Sequence, residues 1–332
     1  MSGAARLARQ LKDFWLRRER PAAPPFRLWV DITSRCNLAC PACPQRLLED
    51  GQRADMPGEL LESLAGQVGG LGSEVNLFHR GEPLLRPDLG AWIERFREGG
   101  ARLIRLHSNA TLLDGARISA LLAQPPDILT LSVDSLDGPA YAAARPGADL
   151  GRTLDGVERL LRSRGAGQPP RLTLLLMGPQ NWGPEAKANL DRLKALGLER
   201  VLARRPHNWG GALAGTGQAA APLPPRSVCT FPWYGLAVLS DGRVCPCPQD
   251  FFGQMALGRA GEAPLLDIWQ GQAARDLRRA QAAGRLEAYP VCRACDRIQR
   301  RSFLGLPTEH LKNLLVESIV SSPGRRGSRP AG

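Results

Sequence analysis

The sequence predicts an α/β protein made of a partial (β/α)6 barrel of the TIM type and a small, cysteine-rich carboxyl-terminal domain. From residue 26 onward, short runs with high strand propensity alternate with helical stretches, which is the pattern of a parallel sheet with crossover helices. Six such runs occupy about 180 residues, fewer strands than a closed eight-fold barrel requires. Five of the eight cysteines follow these runs, which sets the second domain apart.

Most predicted strands are followed by a segment with helical periodicity. We expect strands at 26–32, 74–78, 102–106, 128–133, 171–177 and 199–203. We expect helices near 57–68, 88–98, 115–123, 153–164 and 184–196, and several of these end close to a glycine, as helices commonly do. The barrel is therefore predicted to span residues 25–206.

Composition marks the segments on either side of the barrel. Residues 1–24 are predicted to form a basic amphipathic helix that docks across the barrel. Residues 207–226 are rich in Gly, Ala and Pro and are predicted to be a linker. Residues 227–300 are predicted to form the second domain, which is too small to bury a stable apolar core unless a cross-link such as a metal site stabilises it. Residues 301–332 are predicted to be a helix with a disordered tail.

Charge and hydropathy exclude several classes of protein. The 332 residues carry 44 Lys and Arg against 32 Asp and Glu, a formal net charge of +12, but much of the excess lies at the two ends. The central body is only mildly basic, so we expect no nucleic-acid partner. No apolar run approaches the roughly 18 residues of a transmembrane helix, and no export signal is present. We expect a cytoplasmic protein, in which clustered cysteines indicate metal binding rather than disulfides.

Three cysteines follow the first predicted strand in one short stretch, Cys36-Asn-Leu-Ala-Cys40-Pro-Ala-Cys43. Three thiolates at these spacings can ligate three irons of a [4Fe–4S] cluster and leave the fourth iron open. An open iron can bind another molecule, which indicates catalysis rather than electron storage alone. Zinc fits less well, because zinc sites usually pair one C-x2-C with a second pair.

This C-x3-C-x2-C motif after the first strand of a βα barrel resembles that of the radical S-adenosylmethionine (SAM) superfamily. The resemblance implies that Cys36, Cys40 and Cys43 bind a [4Fe–4S] cluster whose open iron binds SAM. It also implies that one electron from the cluster cleaves SAM to methionine and a 5′-deoxyadenosyl radical. The resemblance extends over nearly all of residues 26–300.

The loop after the second predicted strand carries a further match. Gly81-Glu82-Pro83 resembles the GGEP motif in which backbone and Glu hold the SAM amino group, although Arg80 stands where the family has the first Gly. A second departure is Ala42, since the residue before the third cysteine is often aromatic and lies near the adenine. Backbone near Met177 is then expected to hold the adenine.

The ends of the third and fourth predicted strands also match the family. Ser108 and Asn109 resemble the segment that approaches SAM, and Ser132 resembles a serine that contacts the SAM carboxylate. Ordinary strand-end capping is the alternative role for these three side chains. Loops at the carboxyl ends of parallel barrel strands converge on one mouth, so these dispersed residues can meet one cofactor.

The second domain contains five cysteines: Cys229, Cys245, Cys247, Cys292 and Cys295. Four of them, all except Cys245, could close around a second [4Fe–4S] cluster and leave it no open iron. This arrangement resembles the SPASM or twitch domain of radical SAM dehydrogenases, including G-x4-C at Gly242 to Cys247. Cys245 is left as a packing residue or an alternative ligand, and a zinc ribbon from the same cysteines is the alternative site.

The resemblance implies an oxidoreductase. In dehydrogenating relatives the radical removes hydrogen from a carbon that bears oxygen, a base takes a proton, and the auxiliary cluster accepts the remaining electron. Asp250, three residues after Cys247, is the expected base, and Gln249 is an expected hydrogen-bonding partner of the substrate. Arg204 and Arg205 end the sixth predicted strand and are candidates for binding an anionic or hydroxylated substrate.

The expected substrate is a small polar molecule such as a sugar, an aminocyclitol or a nucleotide-linked metabolite, which is oxidised or epimerised. A maturase that modifies a peptide or protein side chain is the second hypothesis. Only about 25 residues precede the first predicted strand, which favours either a small molecule or a peptide-recognition domain supplied by a partner. A non-catalytic iron–sulfur electron carrier is the third hypothesis. We expect an electron donor such as flavodoxin or ferredoxin.

Overall fold

A parallel sheet forms the first two thirds of the chain, as the sequence predicts. The computed structural model describes residues 3–165, 167–178, 182–213 and 227–299, together with strands at 302–303 and 306–307. The barrel strands are β1 (Arg27–Val30), β2 (Glu74–Asn76), β3 (Ile104–Ser108), β4 (Ile128–Asp134), β5 (Arg171–Met177) and β6 (Arg200–Arg204). Each is parallel to its neighbour, so the partial (β/α)6 barrel is confirmed.

Helices cover the outer face of this sheet and follow the predicted order. The helices up to β6 are α1 (Gly3–Trp15), α2 (Gly58–Leu71), α3 (Leu89–Glu98), α4 (Gly115–Ala123), α5 (Gly138–Ala144), α6 (Leu150–Ser163) and α7 (Pro184–Ala195). Fully buried side chains of β1, including Leu28 and Val30, belong to the same apolar core as Leu61 and Leu64 of α2. Burial of each such side chain stabilises the fold by about 1.5–3 kcal/mol.

The amino-terminal helix is shorter than predicted and contacts both parts of the molecule. It ends at Trp15 instead of residue 24, because Arg17 adopts a left-handed backbone (φ 50°) and prolines follow. It contacts the barrel, where Arg6 Nη2 donates to the Leu71 carbonyl of α2 over 3.1 Å, and it also contacts the second domain. Its Phe14 ring packs edge-on against Trp233 of the second domain with ring centroids 5.6 Å apart, and Gln10 donates a hydrogen bond to the Trp233 carbonyl.

The second domain continues the barrel sheet instead of forming a separate one. Its elements are β7 (Gly235–Val238), β8 (Arg243–Cys245), β9 (Gly258–Arg259), α8 (Leu265–Gln270), α9 (Gln272–Ala283) and α10 (Pro290–Ala294). Strand β7 pairs in parallel with β1, and β8 and β9 follow as antiparallel neighbours. The described sheet therefore has the order β6-β5-β4-β3-β2-β1-β7-β8-β9. Strand β1, which leads into the first cysteines, is held between both parts of the molecule.

The remaining segments correspond only partly to their predictions. The first residues of the predicted 207–226 linker are ordered and contain a 3-10 helix at Trp209–Gly211, whereas 214–226 lie outside the described residues. In the 301–332 segment, β10 (Ser302–Phe303) and β11 (Leu306–Pro307) form a short hairpin, and the predicted helix and tail lie outside the described residues. None of the described helices has the length and apolar content needed to cross a bilayer.

Candidate functional site

The first three cysteines lie on the loop that follows β1. The Cys43 amide donates to the Cys40 carbonyl over 3.0 Å, and this turn brings the loop back on itself before a 3-10 helix at Pro44–Leu47. Burial raises the pKa of the Cys43 thiol to about 12 and also raises the pKa of Cys36 and Cys40. These thiols hold their protons at neutral pH until a metal displaces them.

The Gly81-Glu82 loop packs directly on the backbone that precedes the cysteines. A Cβ atom on Gly81 would lie 2.3 Å from the carbonyl oxygen of Arg35 and 2.4 Å from that of Thr33, so only glycine fits here. The Glu82 amide donates to the Arg35 carbonyl over 2.8 Å. The close approach explains why the loop needs Gly81, and it fixes the backbone next to Cys36.

Glu82 connects the loops after β2 and β3. Its side chain is almost fully buried and accepts hydrogen bonds from the Leu84 amide at 3.0 Å and the Asn109 amide at 2.6 Å, as well as from the Ser108 side chain. Burial raises the pKa of the carboxyl group. Glu82 therefore holds the loops after β2 and β3 together. Its contact with the SAM amino group stays a prediction.

Asn109 lies beside the first cysteine. Its Nδ2 atom donates to Asn37 Oδ1 over 2.9 Å and lies 3.9 Å from Cys36 Sγ. The next residue, Ala110, adopts a left-handed backbone (φ 65°) and donates its amide to Ser108 Oγ over 3.0 Å. An amide donor next to a cysteine sulfur fits a metal-bound thiolate, because such hydrogen bonds tune iron–sulfur clusters.

A buried arginine that the sequence interpretation missed also faces the first cysteines. Strand β4 bulges between Ser132 and Asp134, and Asp134 adopts a left-handed backbone (φ 68°). Arg145 Nε donates to Asp134 Oδ2 over 3.0 Å. Burial raises the pKa of the Cys40 thiol, and the Arg145 cation opposes that effect. In the sequence this residue is only an arginine 11 positions after an Asp at a strand end. That spacing alone does not indicate a functional role.

Arg80 replaces the first glycine of the GGEP pattern, and the structure gives it a specific contact. It is buried with Asp31, and its Nε atom donates to Asp31 Oδ2 over 2.7 Å. Its Nη2 atom donates to Ser240 Oγ, at the end of β7, over 2.9 Å. The departure from the family pattern therefore ties the Gly81-Glu82 loop to the second domain.

The second group of cysteines surrounds one cavity. The cavity is lined by ten residues: Cys229, Phe231, Cys247, Gln249, Gln281, Val291, Cys292, Cys295, Arg297 and Ile298. Burial raises the pKa of the Cys229, Cys247 and Cys292 thiols, and neighbouring thiols raise each of them further. Four thiols thus converge from segments that lie far apart in the sequence.

The four thiols match the ligand set of a [4Fe–4S] cluster. Each iron of such a cluster takes one thiolate, so the four cysteines would ligate all four irons. Gln281 also lines the cavity, and a hydrogen bond from its side chain lowers the pKa of the Cys292 thiol, against the larger effect of burial. A donor facing this cavity suits the sulfur atoms of a [4Fe–4S] cluster.

Cys245 and Asp250 lie apart from this cavity. Cys245 is fully buried in β8, does not line the cavity, and hydrogen-bonds the Asp250 carboxylate. Asp250, the expected base, is 0% exposed and also accepts hydrogen bonds from the Gln254 and Met255 amides, each 2.8 Å long. Burial raises the pKa of the carboxyl group. Its contacts in the structure shape the turn at 250–255.

The predicted site residues thus fall into two groups. The first brings Gly81, Glu82, Ser108 and Asn109 to the loop that carries Cys36, while Ser132 lies at the bulge of β4. The second brings four cysteines to one cavity and leaves Cys245 out.

Comparison with protein-family models identifies both parts of the molecule. Residues 30–193 match the model of the radical SAM superfamily. Residues 229–296 match the SPASM model, an iron–sulfur cluster-binding domain. A radical SAM domain binds a [4Fe–4S] cluster and SAM, and a SPASM domain binds auxiliary [4Fe–4S] clusters, so the expected cofactors are confirmed.

Curated relatives are similar over most of the chain but at low identity. The PqqA peptide cyclase of Ruegeria pomeroyi is 24% identical over 316 residues, which cover 84% of this chain and 82% of that protein. The SAM-dependent 2-deoxy-scyllo-inosamine dehydrogenase of Niallia circulans is 22% identical over 276 residues, which cover 81% of this chain and 92% of the dehydrogenase.

Solved structures share the fold. The crystal structure of BtrN in complex with AdoMet and 2-DOIA matches with a TM-score of 0.58 at 20% identity, covering 84% of this chain and 96% of that chain. The crystal structure of Streptococcus suis SuiB bound to precursor peptide SuiA matches with a TM-score of 0.61 at 15% identity, covering 81% of this chain and 69% of that chain.

Proposed function

The chain belongs to the radical SAM superfamily and carries a SPASM domain, and from that premise we propose that it is an oxidoreductase acting on a small polar substrate. It reductively cleaves SAM and removes hydrogen from a sugar, an aminocyclitol or a similar molecule, which is oxidised or epimerised. The observation that carries the proposal is the closed cavity of four thiols in the same sheet-linked unit as the three-cysteine loop.

Cys36, Cys40 and Cys43 are the proposed ligands of the first cluster. Three ligands leave one iron open for SAM. When bound and reduced, this cluster and SAM supply a 5′-deoxyadenosyl radical. Asn109 would donate toward the Cys36 sulfur, and the Arg145 cation would offset negative charge beside Cys40. The contact of Asn109 with Cys36 and the position of Arg145 near Cys40 support these two roles.

The SAM-binding residues are proposed from the same loops. Gly81 gives the close backbone approach, and Glu82, Ser108 and Asn109 form one hydrogen-bonded unit next to Cys36. Ser132 lies at the end of β4, on the same edge of the sheet. Because the carboxyl ends of parallel strands face one mouth, these residues can surround a single ligand.

The auxiliary site is proposed to accept an electron. Cys229, Cys247, Cys292 and Cys295 provide four thiolates, so a cluster held there keeps no iron free for SAM or substrate. This full ligation suits electron transfer rather than substrate binding. A ferredoxin or flavodoxin is the proposed donor of the electron that starts the reaction at the first site.

A small substrate is supported by the relatives. The dehydrogenase of Niallia circulans is covered over 92% of its length and BtrN over 96%, whereas SuiB is covered over 69%. The second candidate, a peptide side-chain maturase, is favoured by the similarity to PqqA peptide cyclase over 84% of the chain. The two candidates share the first site and differ in what enters the barrel mouth.

Asp250 is the proposed proton acceptor. A carboxylate whose pKa is raised by burial is a stronger base near neutral pH than an exposed one. The proposal requires one Asp250 oxygen to exchange its backbone hydrogen bond for a substrate contact. In an Asp250→Asn variant, formation of 5′-deoxyadenosine is expected to continue while formation of oxidised product falls by about 10²-fold or more.

Anaerobic reconstitution tests the proposed function. With a reductant, the protein is expected to convert SAM to 5′-deoxyadenosine, and 2-deoxy-scyllo-inosamine is the first substrate probe. A ketone product supports dehydrogenation, and solvent deuterium in recovered substrate supports epimerisation. Turnover of a peptide but not of sugars or aminocyclitols would favour the maturase, and absence of 5′-deoxyadenosine would refute the radical SAM activity itself.

A further inference from the structure

The segment that leaves the barrel after β6 touches the loop of the first three cysteines. Trp209 Nε1 donates a hydrogen bond of 3.1 Å to the carbonyl of Ala42, the residue immediately before Cys43. Ala42 has a small side chain, so it covers little of its own loop. A tryptophan 167 residues away in the sequence therefore holds the backbone next to a proposed cluster ligand.

The same segment also contacts α10, which contains Cys292 and ends just before Cys295. Asn208 Nδ2 donates to the Ala294 carbonyl over 2.7 Å, and Asn208 Oδ1 accepts from the Asp296 amide at 3.2 Å. These two partners flank Cys295. A Cβ atom on Gly210 would lie 2.3 Å from Val291 Cγ1, so Gly210 packs directly on the Val291 side chain, next to Cys292.

Trp209 itself is held in a costly conformation. Its φ of 51° is left-handed, which costs a non-glycine residue about 1 kcal/mol or more. Aromatic neighbours fix the ring edge-on, with centroids 4.3 Å away at His207 and 5.3 Å away at Phe251. Phe251 lies four residues after Cys247, so Trp209 contacts both cysteine groups through short stretches of chain.

We propose that Trp209 is a positioning residue that couples the two cysteine sites: it holds the Ala42 carbonyl, and hence the first-cluster loop, in the geometry that binds SAM. Asn208 and Gly210 anchor Trp209 to α10, so the geometry at the first site depends on an intact second domain. This inference rests on the proposed function only in that the first site binds SAM. It requires no particular substrate.

A Trp209→Phe variant isolates the indole hydrogen bond and keeps an aromatic ring. In the reconstituted holoenzyme we expect SAM to bind about two- to tenfold more weakly, as loss of one hydrogen bond implies. In the presence of SAM, the electron paramagnetic resonance signal of the variant's reduced first cluster should also differ from that of the wild type. Iron content should be unaffected.

Trp92→Phe is the matched control. Trp92 Nε1 also donates one hydrogen bond, 2.7 Å long, but to Asp88 on the outer helix α3, away from both cysteine groups. This variant should bind SAM as the wild type does. If Trp209→Phe also binds SAM with wild-type affinity and spectrum, the inference is wrong. If the wild-type protein itself shows no spectral response to SAM, the proposed function fails instead.

A double-mutant cycle tests the coupling. Asn208→Ala removes the contacts with Ala294 and Asp296 without touching the first loop. We expect it to weaken SAM binding in the same direction as Trp209→Phe. Because both changes break one chain of contacts, the double variant should lose much less than the product of the two single effects. Independent, multiplicative losses would overturn the coupling.

Discussion

The two groups of cysteines are built in opposite ways. The first group comes from one loop, and its three thiols are partly exposed at the carboxyl end of β1. The second comes from three separate segments and encloses a cavity that four thiols share. A contiguous loop leaves room for an exchangeable ligand. A site formed by distant segments cross-links those segments when its cofactor binds, and so it also stabilises the fold.

Removal of a first-group cysteine should have the largest effect. Cys36→Ala is expected to abolish formation of 5′-deoxyadenosine, because a cluster with two protein ligands is not retained in a form that binds SAM. Chromatographic measurement of 5′-deoxyadenosine after anaerobic reduction checks this. Cys245→Ala is the control, since this thiol lies outside both groups, and it should retain SAM cleavage. Equal losses in both variants would contradict the assignment.

Removal of second-group cysteines should separate the two sites. A variant with Cys292→Ala and Cys295→Ala is expected to fall from about eight irons per chain to about four, the content of one [4Fe–4S] cluster. Slower SAM cleavage should persist, because the first loop keeps its ligands, while substrate oxidation should be lost. Iron analysis together with product analysis checks both outcomes. Full substrate oxidation without the second cluster would contradict its proposed role.

Arg80 should stabilise the junction of the two parts. Arg80→Met leaves the Asp31 carboxylate buried without its partner, which is expected to lower the free energy of unfolding by about 3–5 kcal/mol. Urea denaturation measures this loss. Arg95→Met is the control, because its pair with Glu62 is half-exposed and is worth at most about 1 kcal/mol. Equal losses of unfolding free energy in the two variants would contradict a specific stabilising role for the buried pair.

Gln281 should tune the second site only. The buried Gln281 side chain lowers the pKa of the Cys292 thiol, against the larger effect of burial, which shows that its amide favours the thiolate. Loss of this donor in Gln281→Leu should make the reduction potential of the auxiliary cluster more negative. Redox titration followed by electron paramagnetic resonance measures the shift.

Gln272→Leu provides the comparison for this variant. Gln272 begins the same helix, α9, but its amide donates to Asp276 at the surface. Its replacement should leave both potentials unchanged. A shift of the first cluster's potential in Gln281→Leu, or none at either cluster, would contradict the assignment.

Local patterns account for what the sequence could predict. The six barrel strands lie close to the short runs of high strand propensity that predict them. The first cysteine loop is equally local. Parallel pairing of β7 with β1 could not be predicted, because it joins residues about 200 positions apart and follows a segment without a clear pattern.

Contacts between distant residues explain the remaining differences. Arg145 reaches the first cysteines only because β4 and α5 fold back together, and Trp209 in the predicted linker reaches Ala42 across the mouth. Cys245 is separated from Cys247 because β8 ends at Cys245, whereas Cys247 lies beyond the strand and lines the cavity. The hydrogen bonds to Asp250 depend on a turn whose geometry composition does not reveal.

The difference between an open and a closed site is tested most directly by electron paramagnetic resonance of the reduced, reconstituted protein with and without SAM. We predict two [4Fe–4S] signals, of which only the one that is missing in Cys36→Ala shifts when SAM is added. A single cluster with zinc in the second site, or a SAM-dependent shift of the signal that requires Cys292 and Cys295, would contradict this account.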